Sequence, residues 1–331
     1  MKKVLVVGPG KLVFVEEVEP EMGPGDVQIR ISQTGLSSRS EIERYVRNPA
    51  GKPEGIGYNA VGVIEACGAD VTRFQPGDRV FTTVGHADMA VVDANKVIRI
   101  PDAVDDASAC FAYLPTLGMH ALRLANYQPG EFVAISGQGI IGQTAGLMAR
   151  LYGARTIAID VSDERLALAT RCGAHVTINP LQEDIQSAIG AFCGSAGLDI
   201  VIDTASSWVS LSQSLDIIRP RGRVVMLGII REVPNETDST RFYDAYRRNM
   251  HGKEAVIIGA SNDPQDPAGS TGLRFTWERN IEEVMDHIQA GSLNVKQLIT
   301  HRYPISEIED VYRLLLNGGQ DHLGVVFTWP T

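Results

Sequence analysis

Hydrophobic positions form short runs in the first hundred residues and a different, alternating pattern further along the chain. Up to about Ile100, β-branched runs are separated by turn residues such as Gly23-Pro24-Gly25-Asp26 and Pro76-Gly77-Asp78. Short runs bounded by Gly, Pro and Asp favour β-strands joined by turns. The pattern predicts an antiparallel, barrel-like β domain whose first strand is Val4–Val7.

From about Gly130, apolar strands alternate with helical stretches. The predicted strands are Phe132–Ser136, Thr156–Asp160, Val176–Ile178, Asp199–Asp203 and Arg223–Leu227. This alternation predicts a parallel, doubly wound sheet. Beyond a further apolar run, Ala255–Gly259, come a polar loop, a helix around Glu278–Gln289 and a closing strand near Gly324–Phe327. We expect this tail to return to the first domain.

Composition narrows the class of protein. With 331 residues, 44% of them hydrophobic, the chain can fill two ordinary domains. The net charge of −10 disfavours binding to nucleic acid or to an anionic membrane. No apolar stretch approaches the ~20 residues that a membrane span requires. The four cysteines share no C-x-x-C spacing, which excludes a zinc ribbon and a dithiol motif. We expect a reduced, cytoplasmic protein that acts on a small-molecule substrate.

A glycine-rich turn follows the first strand of the alternating region. Its sequence, Gly137-Gln138-Gly139-Ile140-Ile141-Gly142, fits G-x-G-x-x-G and opens the predicted helix Ile140–Tyr152. In such a turn the first glycine permits a tight bend, the second admits a pyrophosphate and the third lets helix and strand pack closely. The helix N-terminus then favours the phosphate charge. The sequence therefore predicts a dinucleotide site.

The end of the next strand indicates which dinucleotide binds. Asp160 follows Gly137 by 23 residues, where a carboxylate accepts hydrogen bonds from the adenosine ribose. Because that carboxylate repels a 2′-phosphate, NAD is favoured over NADP. Arg165 is the nearest cation, and we interpret it as a surface residue in a helix capped by Ser162.

Several further segments carry a family pattern. They are Gly57-Tyr58-Asn59-Ala60-Val61-Gly62 with Gly68, Gly77-Asp78-Arg79-Val80, Gly118-Met119-His120-Ala121 and Gly252–Gly259. With them the chain resembles the medium-chain dehydrogenase/reductase superfamily along nearly its whole length, and the polyol and sugar dehydrogenases most of all. The last segment resembles the family's dimer-edge region, which implies a homodimer, with a homotetramer as the alternative.

The resemblance implies an α/β fold of two domains. A GroES-like β-barrel catalytic domain is expected over residues 1–115, completed by 270–331. A doubly wound, parallel-sheet Rossmann domain for NAD is expected over 116–269. The cofactor contacts expected outside the glycine-rich turn are Thr116, Asp160, Val161, Arg165, Thr204 and Gly228.

The metal ligands of the family are replaced in this chain. Zinc-containing members hold the catalytic metal with Cys, His and Glu side chains, and the corresponding positions here read Ser37, Tyr58, Asn59 and Tyr113. Zinc prefers thiolate, imidazole or carboxylate ligands. The neighbouring relay position is Arg39, and the lobe that binds a structural zinc is missing. We expect no zinc of either kind.

Another group must then take the hydroxyl proton and stabilise the alkoxide. Our hypothesis is that Tyr58 is the acid/base, with Arg39 as a cation that lowers the pKa of Tyr58 or binds an anionic group of the substrate. Alternatively, Tyr58 fills the space left by the metal, and Arg39 faces solvent or pairs with Glu41 or Glu43.

Three other residues complete the predicted catalytic site. Asn59, with a donor and an acceptor, can orient a substrate hydroxyl, and Tyr113 is expected to shape the pocket wall. His120 lies on a helix expected to begin beside the nicotinamide. A proton-shuttle role is open to it, but a packing role is favoured.

Three functions remain open. The leading one is interconversion of a secondary alcohol and a ketone on a polyol, sugar or cyclitol. The second is reduction of an activated C=C bond, as in quinone and enoyl reductases, against which Asp160 argues because those enzymes usually prefer NADPH. The third is a cofactor-binding protein without turnover. We interpret Arg231–Arg248 as a loop able to cap the active site.

Overall fold

The computed structural model describes residues 1–36, 38–266, 269–318 and 322–330. The chain forms two compact units, Met1–Tyr113 with Pro264–Thr331, and Leu114–Asp263. We call the first the split unit, because both ends of the chain build it, and the second the central unit. Their breaks fall a few residues before the predicted ones, after 115 and 269.

The strands, in chain order, are β1 (Lys2–Gly8), β2 (Lys11–Glu16), β3 (Asp26–Leu36), β4 (Glu54–Gly55), β5 (Asn59–Cys67), β6 (Arg79–Thr82), β7 (Met89–Asp93), β8 (Ile98–Arg99), β9 (Phe132–Ser136), β10 (Arg155–Ile159), β11 (Val176–Ile178), β12 (Leu198–Asp203), β13 (Ile218–Met226), β14 (Val256–Gly259), β15 (Ile299–Pro304) and β16 (Gly324–Thr328). The α-helices are α1 (Ser38–Arg47), α2 (Asp106–Cys110), α3 (Tyr113–Leu124), α4 (Ile140–Leu151), α5 (Asp163–Arg171), α6 (Ile185–Cys193), α7 (Trp208–Ile217), α8 (Glu236–Tyr246), α9 (Trp277–Gln289) and α10 (Ile308–Leu316).

The split unit is mostly antiparallel sheet, as predicted. Strand β3 is the central strand of this unit. Its residues Val27, Ile29 and Ile31 point inward and are fully buried, as the two-residue period of a strand requires. The order of the larger sheet is β15-β16-β3-β5-β6-β8, with β7 also paired to β3, and a second sheet has the order β2-β1-β4. Because β16 pairs antiparallel with β3, the tail returns to the first domain as expected.

The central unit is a parallel sheet of order β11-β10-β9-β12-β13-β14. Strands β9 and β12 are buried along their whole length, which explains their continuous apolar sequences. The strand order reverses between β9 and β12, and ligands of such sheets bind at the carboxyl ends of the strands beside that reversal.

The prediction of a loop over Arg231–Arg248 is wrong, because helix α8 occupies Glu236–Tyr246. Asn235 caps this helix by accepting a hydrogen bond from the Asp238 amide at 2.8 Å. Only Ala245 is buried in it, so the helix has no apolar stripe to read from the sequence. None of the helices in the described ranges is long and apolar enough to cross a membrane.

Candidate active site and cofactor site

The glycine-rich turn has the geometry that the motif predicts. Gly137 has a φ of +87°, and a Cβ atom there would lie 2.7 Å from the amide N of Ala205. A Cβ atom at Gly142 would lie 1.8 Å from the Gly137 carbonyl O, so only glycine allows α4 to pack this closely. A Cβ atom at Gly139 would meet no described atom within 4 Å. That open space is where the motif admits a pyrophosphate.

Two predicted contacts lie at the carboxyl ends of the next strands of the sheet. Thr204, directly after β12, donates its hydroxyl to the carbonyls of Ser136 at 3.1 Å and Gly137 at 2.8 Å. Gly228 lies beyond β13, and a Cβ atom there would lie 1.9 Å from Ser206 Oγ. Both residues therefore lie next to the glycine-rich turn or the strand beside it.

Asp160 directs its carboxylate at the turn. Its Oδ2 accepts a hydrogen bond from the Gln138 amide at 2.6 Å, and its Oδ1 accepts one from the Ser162 amide at 2.9 Å. The side chain is largely buried, whereas the neighbouring Val161 is exposed. Each carboxylate oxygen can accept more than one hydrogen bond, so acceptor capacity remains for ribose hydroxyls.

Arg165 is more than the surface residue that the sequence suggested. Ser162 caps α5 as predicted, accepting a hydrogen bond from the Arg165 amide. The Arg165 guanidinium, however, leans toward Asp160, with Nη1 3.9 Å from Asp160 Oδ2. Its Nε is buried and has no hydrogen-bond partner among the described residues.

Helix α3 carries two predicted site residues into the central unit. Thr116 is buried in its first turns. His120 Nδ1 lies 2.8 Å from Asp263 Oδ1, and Arg123 donates to the other oxygen of Asp263 at 3.2 Å. This pairing fits the packing role that was favoured for His120.

In the split unit, Tyr58 and Tyr113 are neighbours. Their rings make an edge-to-face contact with centroids 5.6 Å apart, and Tyr113 continues the aromatic cluster to Trp277 at 6.0 Å. Both tyrosines are half-buried, whereas Trp277 is nearly fully buried. Tyr113 therefore forms part of an aromatic cluster beside Tyr58.

Asn59 is a buried amide beside these rings. It begins β5, pairs in register with Gly35 of β3, and is 2% exposed. Its Oδ1 atom is buried without a hydrogen-bond partner in the described part of the chain. An unpaired buried carbonyl is costly, and a ligand hydroxyl would remove that cost by donating to it.

Behind Tyr58 lies a polar cluster that sequence reasoning missed. His86 Nε2 lies 3.2 Å from Glu41 Oε2, and Tyr312 donates a short hydrogen bond to the same oxygen. His86 Nδ1 lies 2.7 Å from Thr34 Oγ1. The imidazole of His86 is 0% exposed and the carboxylate of Glu41 is 5% exposed. We call Thr34, Glu41, His86 and Tyr312 the buried relay cluster.

Two predicted residues cannot be placed. Ser37 and the side chain of Arg39 lie outside the described residues. Of the proposed partners of Arg39, Glu43 pairs with Arg47 at 3.1 Å, and Glu41 directs Oε2 into the relay cluster. No local motif marks Glu41 or His86, because their partners come from other elements. The one available signal was Glu41 itself, a charged residue at a position of α1 where an apolar residue would be expected.

Two family descriptions match successive parts of the chain. Residues 23–102 match "Alcohol dehydrogenase GroES-like domain", and residues 141–265 match "Zinc-binding dehydrogenase". The chain belongs to the alcohol dehydrogenase-like medium-chain dehydrogenase/reductase superfamily. Its fold is that of the superfamily, a GroES-like domain with a parallel-sheet Rossmann domain.

Individual relatives include polyol and sugar-acid dehydrogenases. L-Idonate 5-dehydrogenase of Vitis vinifera is 26% identical, with 91% of this chain and 87% of that protein covered. The structure of galactitol-1-phosphate dehydrogenase from Escherichia coli is similar with a TM-score of 0.84 at 23% identity, covering 99% of this chain and 100% of that chain.

Two similar structures were solved with a nicotinamide cofactor. An alcohol dehydrogenase from Escherichia coli, at 22% identity and TM-score 0.80, contains NADH, and 99% of each chain is covered. A zinc-binding dehydrogenase from Sinorhizobium meliloti, at 21% identity and TM-score 0.79, contains NADP, with 99% of this chain and 98% of that one covered. The fold thus accepts either cofactor among these neighbours.

The superfamily implies a catalytic zinc, and the donors in this chain do not fit one. At the positions that hold the metal in zinc members, the described side chains are the phenols of Tyr58 and Tyr113 and the amide of Asn59. Within the described ranges, no three His, Cys, Asp or Glu side chains converge as a metal site. Phenol and amide groups are poor ligands for zinc at neutral pH.

Proposed function

We propose that the protein is a zinc-independent, NAD(H)-dependent oxidoreductase that interconverts a secondary alcohol and a ketone on a polyol, sugar or cyclitol. One observation carries the proposal: Tyr58 and Asn59 stand side by side where the family pattern puts metal ligands, and Asn59 Oδ1 is buried without a partner among the described residues. A pocket whose chemistry was simply lost would be filled with apolar side chains.

The two residues divide the work that the metal does in zinc members. Asn59 orients the substrate by accepting a hydrogen bond from one of its hydroxyls. Tyr58 takes the proton of the reacting hydroxyl during oxidation and returns it to the carbonyl oxygen during reduction. A bound nicotinamide supplies the hydride acceptor or donor. Tyr113 and Trp277, whose tilted rings have centroids 6.0 Å apart, limit the substrate site on one side.

The cofactor that we propose is NAD. The Asp160 carboxylate is held at the turn by the Gln138 and Ser162 amides, so its charge stays beside the ribose position. A 2′-phosphate would meet that charge. The turn from Gly137 to Gly142 would hold the pyrophosphate against the N-terminus of α4.

A second function is favoured by Arg165. Its guanidinium lies beside Asp160, and its buried Nε lacks a partner in the described ranges. Because guanidinium binds phosphate well, Arg165 can offset the repulsion of a 2′-phosphate. NADPH-dependent reduction of an activated C=C bond, with Tyr58 as the proton donor, is therefore the competing function.

The decisive measurement is NADH formation by chelator-treated protein, with metal content determined on the same sample. Polyols, sugars, cyclitols and their phosphorylated or acidic derivatives form the substrate panel. We expect turnover in samples that contain far less zinc than one ion per chain. Activity that appears only on adding zinc would overturn metal independence. Silence across the panel with NADPH-dependent enone or quinone reduction would establish the competing function.

The role of Tyr58 is tested by replacing its hydroxyl. General acid–base groups contribute about 10² to 10⁴ in rate, so Tyr58→Phe should lower kcat by about a hundredfold or more. Tyr113→Phe, which keeps the ring contact, should change kcat less. Wild-type turnover by Tyr58→Phe would remove the acid/base hypothesis.

We also propose a homodimer formed through β14. This strand ends the sheet order of the central unit, and Val256 is 46% exposed on it. An open sheet edge can pair with the same edge of a second copy. Light scattering should give twice the chain mass, and a proline in place of Ile257 should shift the protein to monomer. A tetramer in solution would require a second interface.

A further inference from the structure

The buried relay cluster groups an acid, an imidazole and a phenol away from solvent. Burying Glu41 and His86 is costly unless their polar atoms are paired. Here Glu41 Oε2 accepts from Tyr312 and lies 3.2 Å from His86 Nε2, and Tyr312 Oη lies 3.4 Å from the same nitrogen. Three polar atoms that can each carry or pass a proton are thus mutually in contact.

The cluster is anchored at the end formed by His86 and Thr34. His86 Nδ1 lies 2.7 Å from Thr34 Oγ1, and Trp329 donates its indole N–H to that oxygen at 3.3 Å. The ring of Phe327 meets the His86 imidazole edge to face, with centroids 5.4 Å apart. These contacts fix the ring orientation of His86 and leave Nε2 facing Glu41 and Tyr312.

Packing connects the cluster to Tyr58. Gly57 has a φ of +92°, and a Cβ atom there would lie 2.8 Å from His86 Cδ2 and 2.8 Å from the His86 amide N. The imidazole therefore lies against the backbone directly before Tyr58. Thr34 precedes Gly35, the register partner of Asn59, so the same end of the cluster adjoins the second site residue.

Charge connects them as well. Burial, and next the charge of Glu41, raises the pKa of Tyr312 well above its usual value, and Tyr58 acts in the same direction. Arg44, which donates to the Gly55 carbonyl at 3.0 Å, opposes this effect. Tyr45 packs edge to face on the Tyr312 ring at 5.4 Å. Among the described residues, the ionisable groups placed next to the cluster by these contacts and charges include Tyr58, Arg44 and Tyr45.

A structural role alone does not require these residue types. Buried ionic groups replaced by apolar residues of similar volume often leave a protein equally stable or more stable. Oxidation of an alcohol to a ketone, with hydride transfer to NAD, releases one proton. Without a metal, Tyr58 must pass that proton on before the next cycle.

We propose that Glu41, His86 and Tyr312 are positioning residues that form a proton relay behind Tyr58, holding the proton released in each oxidation. The proposal rests on the proposed function. During oxidation the phenolate oxygen of Tyr58 gains the hydroxyl proton of the substrate. The O–H bond of Tyr58 then breaks as an N–H bond forms on His86 or an O–H bond forms on Glu41, and this group gives the proton to bulk water before the next cycle. In the direction of ketone reduction the cluster returns it. No bond other than O–H and N–H changes within the cluster.

The first test does not depend on turnover. Phenolate absorbance is titrated in the intact protein and in Tyr58→Phe, and the difference reports the pKa of Tyr58. The titration is repeated in a Glu41→Gln background. Because Glu41 and Tyr58 both act on Tyr312, removing the charge of Glu41 should lower the Tyr58 midpoint. An unmoved midpoint in a folded Glu41→Gln protein overturns the relay, whatever the substrate.

The second test uses Tyr312→Phe, which removes the shared hydroxyl and keeps the ring. We expect kcat for alcohol oxidation to fall about tenfold or more, with a larger solvent deuterium isotope effect and an unchanged KM. Tyr45→Phe is the matched control, because it removes the hydroxyl of the adjoining ring but leaves the cluster intact. Equal effects of the two variants would overturn the proposal.

Thermal unfolding separates these outcomes from misfolding. Should Tyr312→Phe fail to fold, His86→Gln replaces it and must show the same isotope effect. A wild-type protein that oxidises no alcohol in the panel fails the proposed function, while the Tyr58 titration still decides the coupling on its own.

Discussion

The cofactor turn and the buried relay cluster are built in opposite ways. The turn uses one strand, one turn and one helix, joined to the next strand by the bond from the Gln138 amide to Asp160. The cluster draws on a strand, two helices and a loop, and its Glu41–Tyr312 hydrogen bond spans 271 positions. A site formed by residues that are close in sequence can be recognised as a motif. A site assembled by tertiary packing appears in the sequence only as isolated polar residues.

The sharpest contrast comes from the turn itself. In Gly142→Val the new side chain has no room, because a Cβ atom would lie 1.8 Å from the Gly137 carbonyl O. NADH affinity should fall by about a hundredfold or more, which corresponds to roughly 2.7 kcal/mol. Fluorescence titration with NADH measures it. Gly146→Ala in the same helix meets nothing within 4 Å and should bind NADH normally; similar losses in both would refute a local origin.

The corresponding glycine of the split unit tests long-range assembly. Gly57→Ala would force its Cβ against His86 and disturb the backbone before Tyr58. We expect kcat to fall by about tenfold, with a loss of stability of about 1–3 kcal/mol. Gly77 has a similar φ of +96° but open space around its Cβ position. Gly77→Ala should lose stability without losing activity. If Gly57→Ala and Gly77→Ala lower kcat equally, the contact between Gly57 and His86 does not contribute to activity.

A smaller effect is expected at the cofactor's ribose. Asp160→Asn removes the charge that opposes a 2′-phosphate and leaves Arg165 in place. The ratio of kcat/KM for NAD to that for NADP should fall by about tenfold. Asp163→Asn is the charge-matched control, because Asp163 binds Asn179 and Gln182 instead of the turn. An unchanged ratio in Asp160→Asn would mean that another residue sets the preference.

The smallest effect concerns a local turn in the split unit. Asp78 accepts a hydrogen bond from the Gln75 amide at 2.8 Å and pairs with Arg99, and this pairing lowers the pKa of Asp78. A carboxyl whose pKa is lower in the folded state stabilises it at neutral pH, and this contribution disappears as pH falls through the folded pKa. Asp78→Asn should lower the free energy of unfolding at pH 7 by about 0.5–1 kcal/mol. Below about pH 3 it should leave this free energy nearly unchanged.

Thermal scans across pH measure this difference. Asp70→Asn is the control, since Asp70 is exposed and its carboxylate has no such partner among the described residues. If Asp78→Asn loses the same stability at every pH, the new Asn side chain, and not the missing charge, causes the loss.

The sequence predicted most of the central unit because its signals are local. Strands β9 and β11 and the start of α4 fall at the predicted residues. The sequence did not predict helix α8 because Ala245 is its only buried residue, so it has no apolar stripe. Its Phe242 ring packs beside Trp208 of α7. The cap at Asn235 with Glu236 after it was the signal available.

In the split unit, prediction stopped at the residues that the family pattern points to. Tyr58, Asn59 and Tyr113 could be placed because they occupy positions of known framework, and the structure brings the three into one unit. Glu41 and His86 could not be predicted, because no local pattern in a helix or a loop indicates that a carboxylate will contact an imidazole 45 positions away. Only the fold makes that pairing.

Strand β16 has a consequence for how the protein is made. It lies between β15 and β3, and Val325 pairs with Leu36 across nearly the whole chain. During synthesis β3 therefore waits with one edge unpaired while the entire central unit emerges from the ribosome and can fold. Until β16 arrives, that edge is open to strands of other molecules. Slow translation or loss of the last strand should thus show itself first as aggregation of the nascent chain, before any loss of cofactor binding.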